Sequence, residues 1–193
     1  MKSERRTSKI ESVLAHRQPD LTFVIENIHD PHNVSAMLRS ADAVGIHEVQ
    51  LVYTKEKFPR IGSKSSSSAN KWVGKRKFLS IPECYAQLRS EGFQIFATRL
   101  DETAKQVYSF DMTRPTAIVF GNEHAGVSDE AAALADATMF IPMMGMIQSL
   151  NVSVACAVTI YEALRQRLEA KQYSQPKFDP SAFETMRGEW LKK

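Results

Sequence analysis

Apolar positions along the chain alternate between short continuous runs and runs of helical spacing. The segments LTFVIENI (21–28), EVQLVY (48–53), a stretch near Lys77–Leu79, QIFATRL (94–100), TAIVFG (116–121) and ATMFIP (137–142) are β-rich and predict strands. Between them the period lengthens. Val34, Met37, Leu38, Ala41 and Val44 recur at helical spacing after Asp30-Pro31, an N-cap followed by a proline at the first helical position, and Gly45 closes that helix. Further helices are predicted over 3–17, over 82–90 ended by Gly92, and over 128–135 capped by Ser128. A long helix is predicted from Ser149 to Lys171, with Leu150, Val154, Ala157, Val158, Tyr161, Leu164 and Leu168 as its apolar stripe. Asp179-Pro180 starts a last short helix.

Strands alternating with helices predict an α/β fold built on a mainly parallel, doubly wound sheet. The expected organisation is a helical arm over 1–20, one domain over 21–170, and a tail with a short helix over 171–193. In such sheets the ligand lies beyond the carboxyl ends of the strands. Three strand ends lead into polar or glycine-containing loops, ENIHDPHN (26–33), GNEHAG (121–126) and IPMMGMIQSLN (141–151), and chemistry is expected there.

A hydrophobic content of 43% with 24% charged residues is ordinary for a globular chain that needs no metal or disulfide staple. No stretch is long and apolar enough to span a membrane, and the N-terminus lacks the apolar core of a secretory signal, so the cytoplasm is the expected compartment. Cys84 and Cys156 lie far apart and read as buried fillers. The net charge of +3 conceals an uneven distribution. Residues 55–77 hold eight basic side chains against the single acid Glu56, within an otherwise acidic body. Such a block is a candidate footprint for a polyanion. Ser63 and Ser65 to Ser68 could donate to phosphate oxygens, and Trp72 could stack on a base. The bland alternative is a solvated loop.

Several familiar chemistries are absent from the sequence. GNEHAGVS has the glycine spacing of a phosphate-binding loop, but Val127 stands where its lysine would be. Neither a G-x-G-x-x-G fingerprint nor a G-x-S-x-G elbow occurs, and His29 and His32 have no third metal ligand at convincing spacing, so no metal is expected. What remains is a scattered polar set: Asn33, Arg39, Asn122, Glu123, Ser149 and Asn151. Each alone could be a cap, a surface cation or a solvated loop acid.

Taken together, three segments carry a resemblance. ENIHDPHNVSAMLRSADAVGIHEVQLV (26–52), IVFGNEHAGVSDE (118–130) and IPMMGMIQSLNVSVACAVTIYEALRQR (141–167) resemble, in order and spacing, the three motifs of the SpoU branch of the SPOUT RNA methyltransferases. The resemblance spans about residues 10–170, and the opening RQPDLTFVIENIHDPHNVSA resembles the tRNA-modifying members of the branch. It implies S-adenosylmethionine as methyl donor and the ribose 2′-hydroxyl of guanosine-18 in the tRNA D-loop as acceptor. Another tRNA or ribosomal RNA ribose, or a non-catalytic RNA-binding scaffold, is the alternative. It further implies a deep C-terminal trefoil knot and a homodimer with the active site at the subunit interface. By the same resemblance Arg39, Asn33, Glu123, Ser149 and Asn151 would serve catalysis. Thr98, Leu100, Gly121, Asn122, Gly126, Ile141, Met146 and Leu150 would bind the cofactor. Arg39 would either take the hydroxyl proton or, remaining cationic, steady the developing alkoxide. The basic segment and N-terminus, with Arg5, Arg6, Lys64, Lys71, Lys75, Arg76 and Lys77, would track the RNA backbone.

Overall fold

The computed structural model describes residues 4–54, 57–58 and 69–193. Lys64 and the serine run of the basic segment lie outside the described residues. Seven strands form one parallel sheet in the order β3-β2-β1-β6-β4-β7-β5. They are β1 (Leu21–Glu26), β2 (Glu48–Val52), β3 (Gly74–Phe78), β4 (Gln94–Thr98), β5 (Lys105–Gln106), β6 (Thr116–Phe120) and β7 (Ala137–Phe140). The helices are α1 (Glu4–Ala15), α2 (Pro31–Ala43), α3 (Ala69–Trp72), α4 (Ile81–Ser90), α5 (Asp129–Leu134), α6 (Val152–Glu169) and α7 (Pro180–Lys192). The strand expected near 77–79 begins earlier, at Gly74, and two-residue β5 with the 3-10 turn Val107–Ser109 was not foreseen. The last helix is longer than its sequence signal suggested, at 13 residues.

The central pair β1 and β6 is buried at every position, as a parallel sheet covered on both faces requires. Their register places Phe23 beside Ile118 and Ile25 beside Phe120. Phe23, Ile25, Ile118 and Phe120 point to one layer with Met37, Leu38 and Ile160, under α2 and α6. Val24, Ala117 and Val119 point to the other, with Cys84, Tyr85 and Leu88 of α4 and Ala131 of α5. Both cysteines are buried, Cys84 with its thiol pushed up to about 12 by burial. The Asp30 side chain caps α2 through the His32 amide at 2.7 Å, Pro31 opens it, and Gly45 follows it at φ +81°.

The long helix departs from expectation in start and orientation. It begins at Val152, with Asn151 as N-cap, because the Asn151 carboxamide oxygen accepts the Ser153 amide at 2.9 Å. Its buried face carries Cys156, Thr159, Ile160, Ala163 and Arg167. Most of the expected stripe lies elsewhere: Val154, Tyr161 and Leu168 are exposed and Ala157, Val158 and Leu164 only partly covered. Apolar periodicity cannot separate two apolar faces when one is filled by small and polar side chains.

Arg167, fully buried, explains part of this orientation. Its five N–H groups all find oxygens: Met112 O at 2.9 Å, Gln18 Oε1 at 3.1 Å, Asp20 Oδ1 at 2.7 Å, Asp20 O at 2.9 Å and Arg114 O at 3.0 Å. One side chain thereby fastens the end of α6 to the turn before β1 and the turn before β6. At the chain ends, α1 and α7 pack on each other around Ile10, Leu14 and Trp190.

Candidate active site at the carboxyl ends of β1, β6 and β4

The chain runs outward from β1 to β2 and β3, then crosses to β4, and β6 later inserts between β1 and β4. That reversal opens a crevice at the carboxyl ends of the central strands. The loops that follow β1, β4, β6 and β7 meet there.

The loop after β1 turns at Asn27, whose φ of +50° is left-handed, a conformation asparagine tolerates better than most residues. Its side-chain oxygen accepts the Thr54 amide at 2.9 Å, and its carbonyl accepts the Asn122 carboxamide at 2.8 Å. The loop after β6 closes on itself. Asn122 Oδ1 accepts the His124 amide at 2.9 Å, and Gly126 N–H donates to Asn122 O at 2.8 Å. Gly121 is pressed so hard on the far side of the loop that a Cβ there would stand 2.1 Å from Gly126 and 2.2 Å from the Val127 nitrogen.

Glu123 joins the two loops. Its carboxylate accepts the His29 and Asp30 amides, each at 3.0 Å, and the Asn33 carboxamide at 2.9 Å. Partial burial pushes this carboxyl up, but the donors from Asn33, His29 and Asp30 prevail and hold it below the ordinary carboxylate value. Asn33 passes the connection on, its oxygen accepting the Asn151 carboxamide at 3.0 Å. Three residues from three sequence segments, up to 118 positions apart, thus form one hydrogen-bonded chain.

Beside this chain lies a cavity of about 480 Å³. Of the expected cofactor residues, Thr98, Leu100, Gly121, Asn122, Gly126, Ile141 and Leu150 line it, as do Glu123, Ser149 and Asn151. Met146 does not: it is 99% exposed and points away from the walls. Val107, Phe120, Met139, Val152 and Thr159, which sequence reasoning missed, form much of the interior. The cation on the wall, Arg99, is paired with Asp129 at 2.6 Å. Its size, its apolar floor and a loop without a Cβ at its tightest point suit a mid-sized nucleoside.

Arg39 stands apart. It is exposed, does not line the cavity, and makes no hydrogen bond or ion pair among the described residues. Six residues beyond Asn33 on α2, it projects about 120° away around the helix axis. Among the basic residues, Arg5, Arg6, Lys71 and Lys77 are exposed, while two others are engaged. Lys75 Nζ donates to Asn70 O at 2.9 Å and Val73 O at 3.3 Å, and burial lowers its pKa. Arg76 is held by Glu91, with Nη2 donating at 2.9 Å, and by Gln50 at 2.8 Å. Trp72, the candidate for stacking on a base, is half-buried and packs on Trp190 with ring centroids 4.9 Å apart. No metal-ligating cluster occurs among the described residues, and no described helix is long and apolar enough to cross a membrane.

Comparison with known proteins places this geometry. Residues 20–161 match the SpoU rRNA Methylase family. A tRNA (guanosine(18)-2′-O)-methyltransferase of Thermus thermophilus is 46% identical over 192 residues, covering 100% of this chain and 98% of that protein. The crystal structure of the A. aeolicus TrmH/SpoU tRNA modifying enzyme superposes with a TM-score of 0.91 at 37% identity, covering 97% of this chain and 95% of that one. The SpoU methyltransferase AviRb from Streptomyces viridochromogenes, solved in complex with AdoMet, superposes with a TM-score of 0.70 at 28% identity over 80% of this chain and 62% of that one. With Asn33, Glu123 and Asn151, one from each motif, joined at one crevice and the likeness running through the whole domain, the chain belongs to the SpoU methylase family.

Proposed function

We propose that this protein transfers a methyl group from S-adenosylmethionine to the ribose 2′-hydroxyl of guanosine-18 in the tRNA D-loop. The observation that carries this reading is the end-to-end likeness to a relative of that name, joined to the Glu123–Asn33–Asn151 chain beside the cavity. Thr98, Leu100, Gly121, Gly126, Ile141 and Leu150 would hold the donor. When bound, S-adenosylmethionine supplies an activated methyl group together with its leaving group.

The protein's own task is then to place the hydroxyl in line and manage its proton. Glu123 and Asn33 fix the loops after β6 and β1 against each other, and Asn151 fixes the start of α6 to both. Ser149 stands on the cavity rim. Arg39 offers a planar guanidinium with five donors, suited to a phosphate and to a developing alkoxide.

A second copy of the chain belongs to this reading. Val154, Tyr161 and Leu168 recur every seven residues on α6 and are about half exposed, an apolar stripe that a symmetric partner would cover. Arg39, which does not line its own chain's cavity, would then serve the site of the partner. A C-terminal trefoil knot is part of the same proposal, supported by family membership and by segment 141–151 lining one cavity with the loops after β4 and β6. The expected setting is the cytoplasm, where tRNA is matured.

Transfer of labelled methyl from S-adenosylmethionine to total tRNA, followed by nucleoside mapping, tests the reaction. Label in 2′-O-methylguanosine of the D-loop is the expected result. Label in another ribose would keep the chemistry and overturn the substrate.

A further inference from the structure

A second cavity, of about 480 Å³, lies between α1, α3 and α7. It is remote from the catalytic loops. Asp42, on its wall, sits in the last turn of α2, roughly 18 Å along the helix from Asp30 at the first. Ile10 and Val13 of α1 form one apolar side, and Trp72 forms the other, backed by Trp190. Trp190 is only 4% exposed, so Trp72 is the indole that a ligand would meet.

The charge on the rim is positive and unbalanced. Arg6 and Lys9 stand one turn apart on α1, exposed and without an ion pair among the described residues. Lys71 adds a third cation, turned onto the main-chain oxygen of Lys193, and the Lys71 and Lys193 ammoniums stand 5.1 and 5.7 Å from the centre of the Trp72 ring. The one acid of the wall, Asp42, is neutralised by the buried Arg17 guanidinium. The cavity also adjoins the basic segment, since Lys71 and Trp72 belong to it. An apolar slot with an indole face and two free cations at its mouth matches a nucleotide: a flat base between Trp72 and α1, and its phosphates on Arg6 and Lys9.

We propose that the slot between α1 and Trp72 receives an unpaired nucleotide of the RNA substrate, away from the methylated ribose. The proposal rests on the tRNA reading above and deepens it, giving the enzyme a second hold on its substrate. Both tryptophans of the chain, Trp72 and Trp190, are at this cavity, so intrinsic tryptophan emission reports on it directly.

Titrating tRNA into the full-length protein should change that emission with the same midpoint as tRNA binding, whereas S-adenosylmethionine alone should leave it unaltered. The double variant Arg6→Glu/Lys9→Glu should weaken tRNA binding at least tenfold and lower the slope of log affinity against log salt by about 2. S-adenosylmethionine binding should be retained, which also shows that the variant is folded. Trp72→Leu, a milder probe of the slot, should weaken tRNA binding roughly tenfold through lost stacking. Methylation of tRNA with unchanged emission, or tRNA binding by the double variant at parental affinity, would overturn the slot and leave the substrate reading intact. An equal emission change with a poly-glutamate peptide would overturn the nucleotide as occupant. If tRNA is neither bound nor methylated, the substrate reading itself fails, and the slot falls with it.

Discussion

The carboxylate of Glu123 accepts the side-chain amide of Asn33 at 2.9 Å across 90 positions of sequence, and this contact locks the loop after β6 to the start of α2. The same carboxylate holds two backbone amides, so its charge is matched by three donors at once. Glu123→Gln keeps the shape but turns an NH₂ group toward at least one N–H donor. The expected cost is ~1–3 kcal/mol of stability, from one charge-assisted interaction lost and one donor left facing another. Turnover should fall about 100-fold through misplacement of the loops. Thermal unfolding and single-turnover methyl transfer would check the two figures, and parental activity would remove Glu123 from the positioning role.

Acid should weaken the fold in two stages. Burial, Arg17 and Lys193 lower the pKa of His47 from its ordinary 6.5, and its Nδ1 is buried without a partner. The unfolded chain therefore takes this proton more readily, and stability declines as pH drops below about 6.5. Glu123 and Asp20 follow. Burial raises both, but the Asn33 donor and backbone amides lower Glu123, and Arg167 and Lys177 lower Asp20, leaving each net depressed. Their contribution is complete above the ordinary values of 4.5 and 3.8 and is lost as pH falls below these through the folded-state values. Denaturant midpoints measured from pH 7 to pH 3 should show both declines. His47→Gln should abolish the first and leave the second.

Two glycines of one loop should respond very differently to alanine. At Gly121 the added methyl group would strike the backbone of Gly126 and Val127, which cannot yield without opening the loop. At Gly126 it meets nothing within 4 Å, and only the left-handed φ of +69° opposes it. Gly126→Ala should cost about 1 kcal/mol. Gly121→Ala should abolish S-adenosylmethionine binding, measured by calorimetry, because the displaced loop forms one wall of the cavity.

Arg167 makes a sharper stability prediction than any apolar residue of α6. Removing it leaves the half-buried Asp20 carboxylate with Lys177 alone and takes the donor from the Met112 carbonyl, while the Asp20 and Arg114 carbonyls keep Thr116 as donor. Arg167→Ala should destabilise the protein by ~3–5 kcal/mol. Arg167→Lys should recover little, since an ammonium cannot fork to five oxygens. Chemical denaturation of the two variants decides this, and a loss under 1 kcal/mol in either would contradict the fastening role.

The sheet was legible in the chain because its central strands, LTFVIE and TAIVF, are apolar at every position, and parallel burial leaves that signature. The start of α2 was legible too, since Asp30, Pro31 and Gly45 act through local backbone rules. Short β5 and α3 carry too few residues for any period to emerge. The buried face of α6 was misread because Thr159 and Arg167 occupy it, each satisfied by partners distant in sequence or by the preceding turn. Asn33, Glu123 and Asn151 could be named only as motif members. That they form one hydrogen-bonded chain depends on loop closure across the sheet, which spacing does not encode. Met146 was placed at the cofactor by motif position alone, and its side chain faces solvent.

The position of Arg39 leads to a test of subunit sharing. In its own chain it is exposed, lines no part of the cavity, and projects to a different side of α2 from Asn33. If the guanidinium acts on the partner's site, Arg39→Ala should lose nearly all turnover while each chain still binds S-adenosylmethionine, and Arg39→Lys should rescue poorly. Glu123→Gln should be impaired for the separate reason given above. Mixing the two inactive proteins, with subunit exchange, creates dimers in which one site has an intact Glu123 from one chain and an intact Arg39 from the other. Random exchange makes half of the dimers mixed, each with one complete site, so about a quarter of parental activity should return. A same-chain site has no complete copy in any combination, and the mixture would stay as inactive as its parts. Tyr161→Glu supplies the control. A charge in the exposed stripe of α6 should block pairing, leave a folded monomer by light scattering, and remove the recovery by mixing.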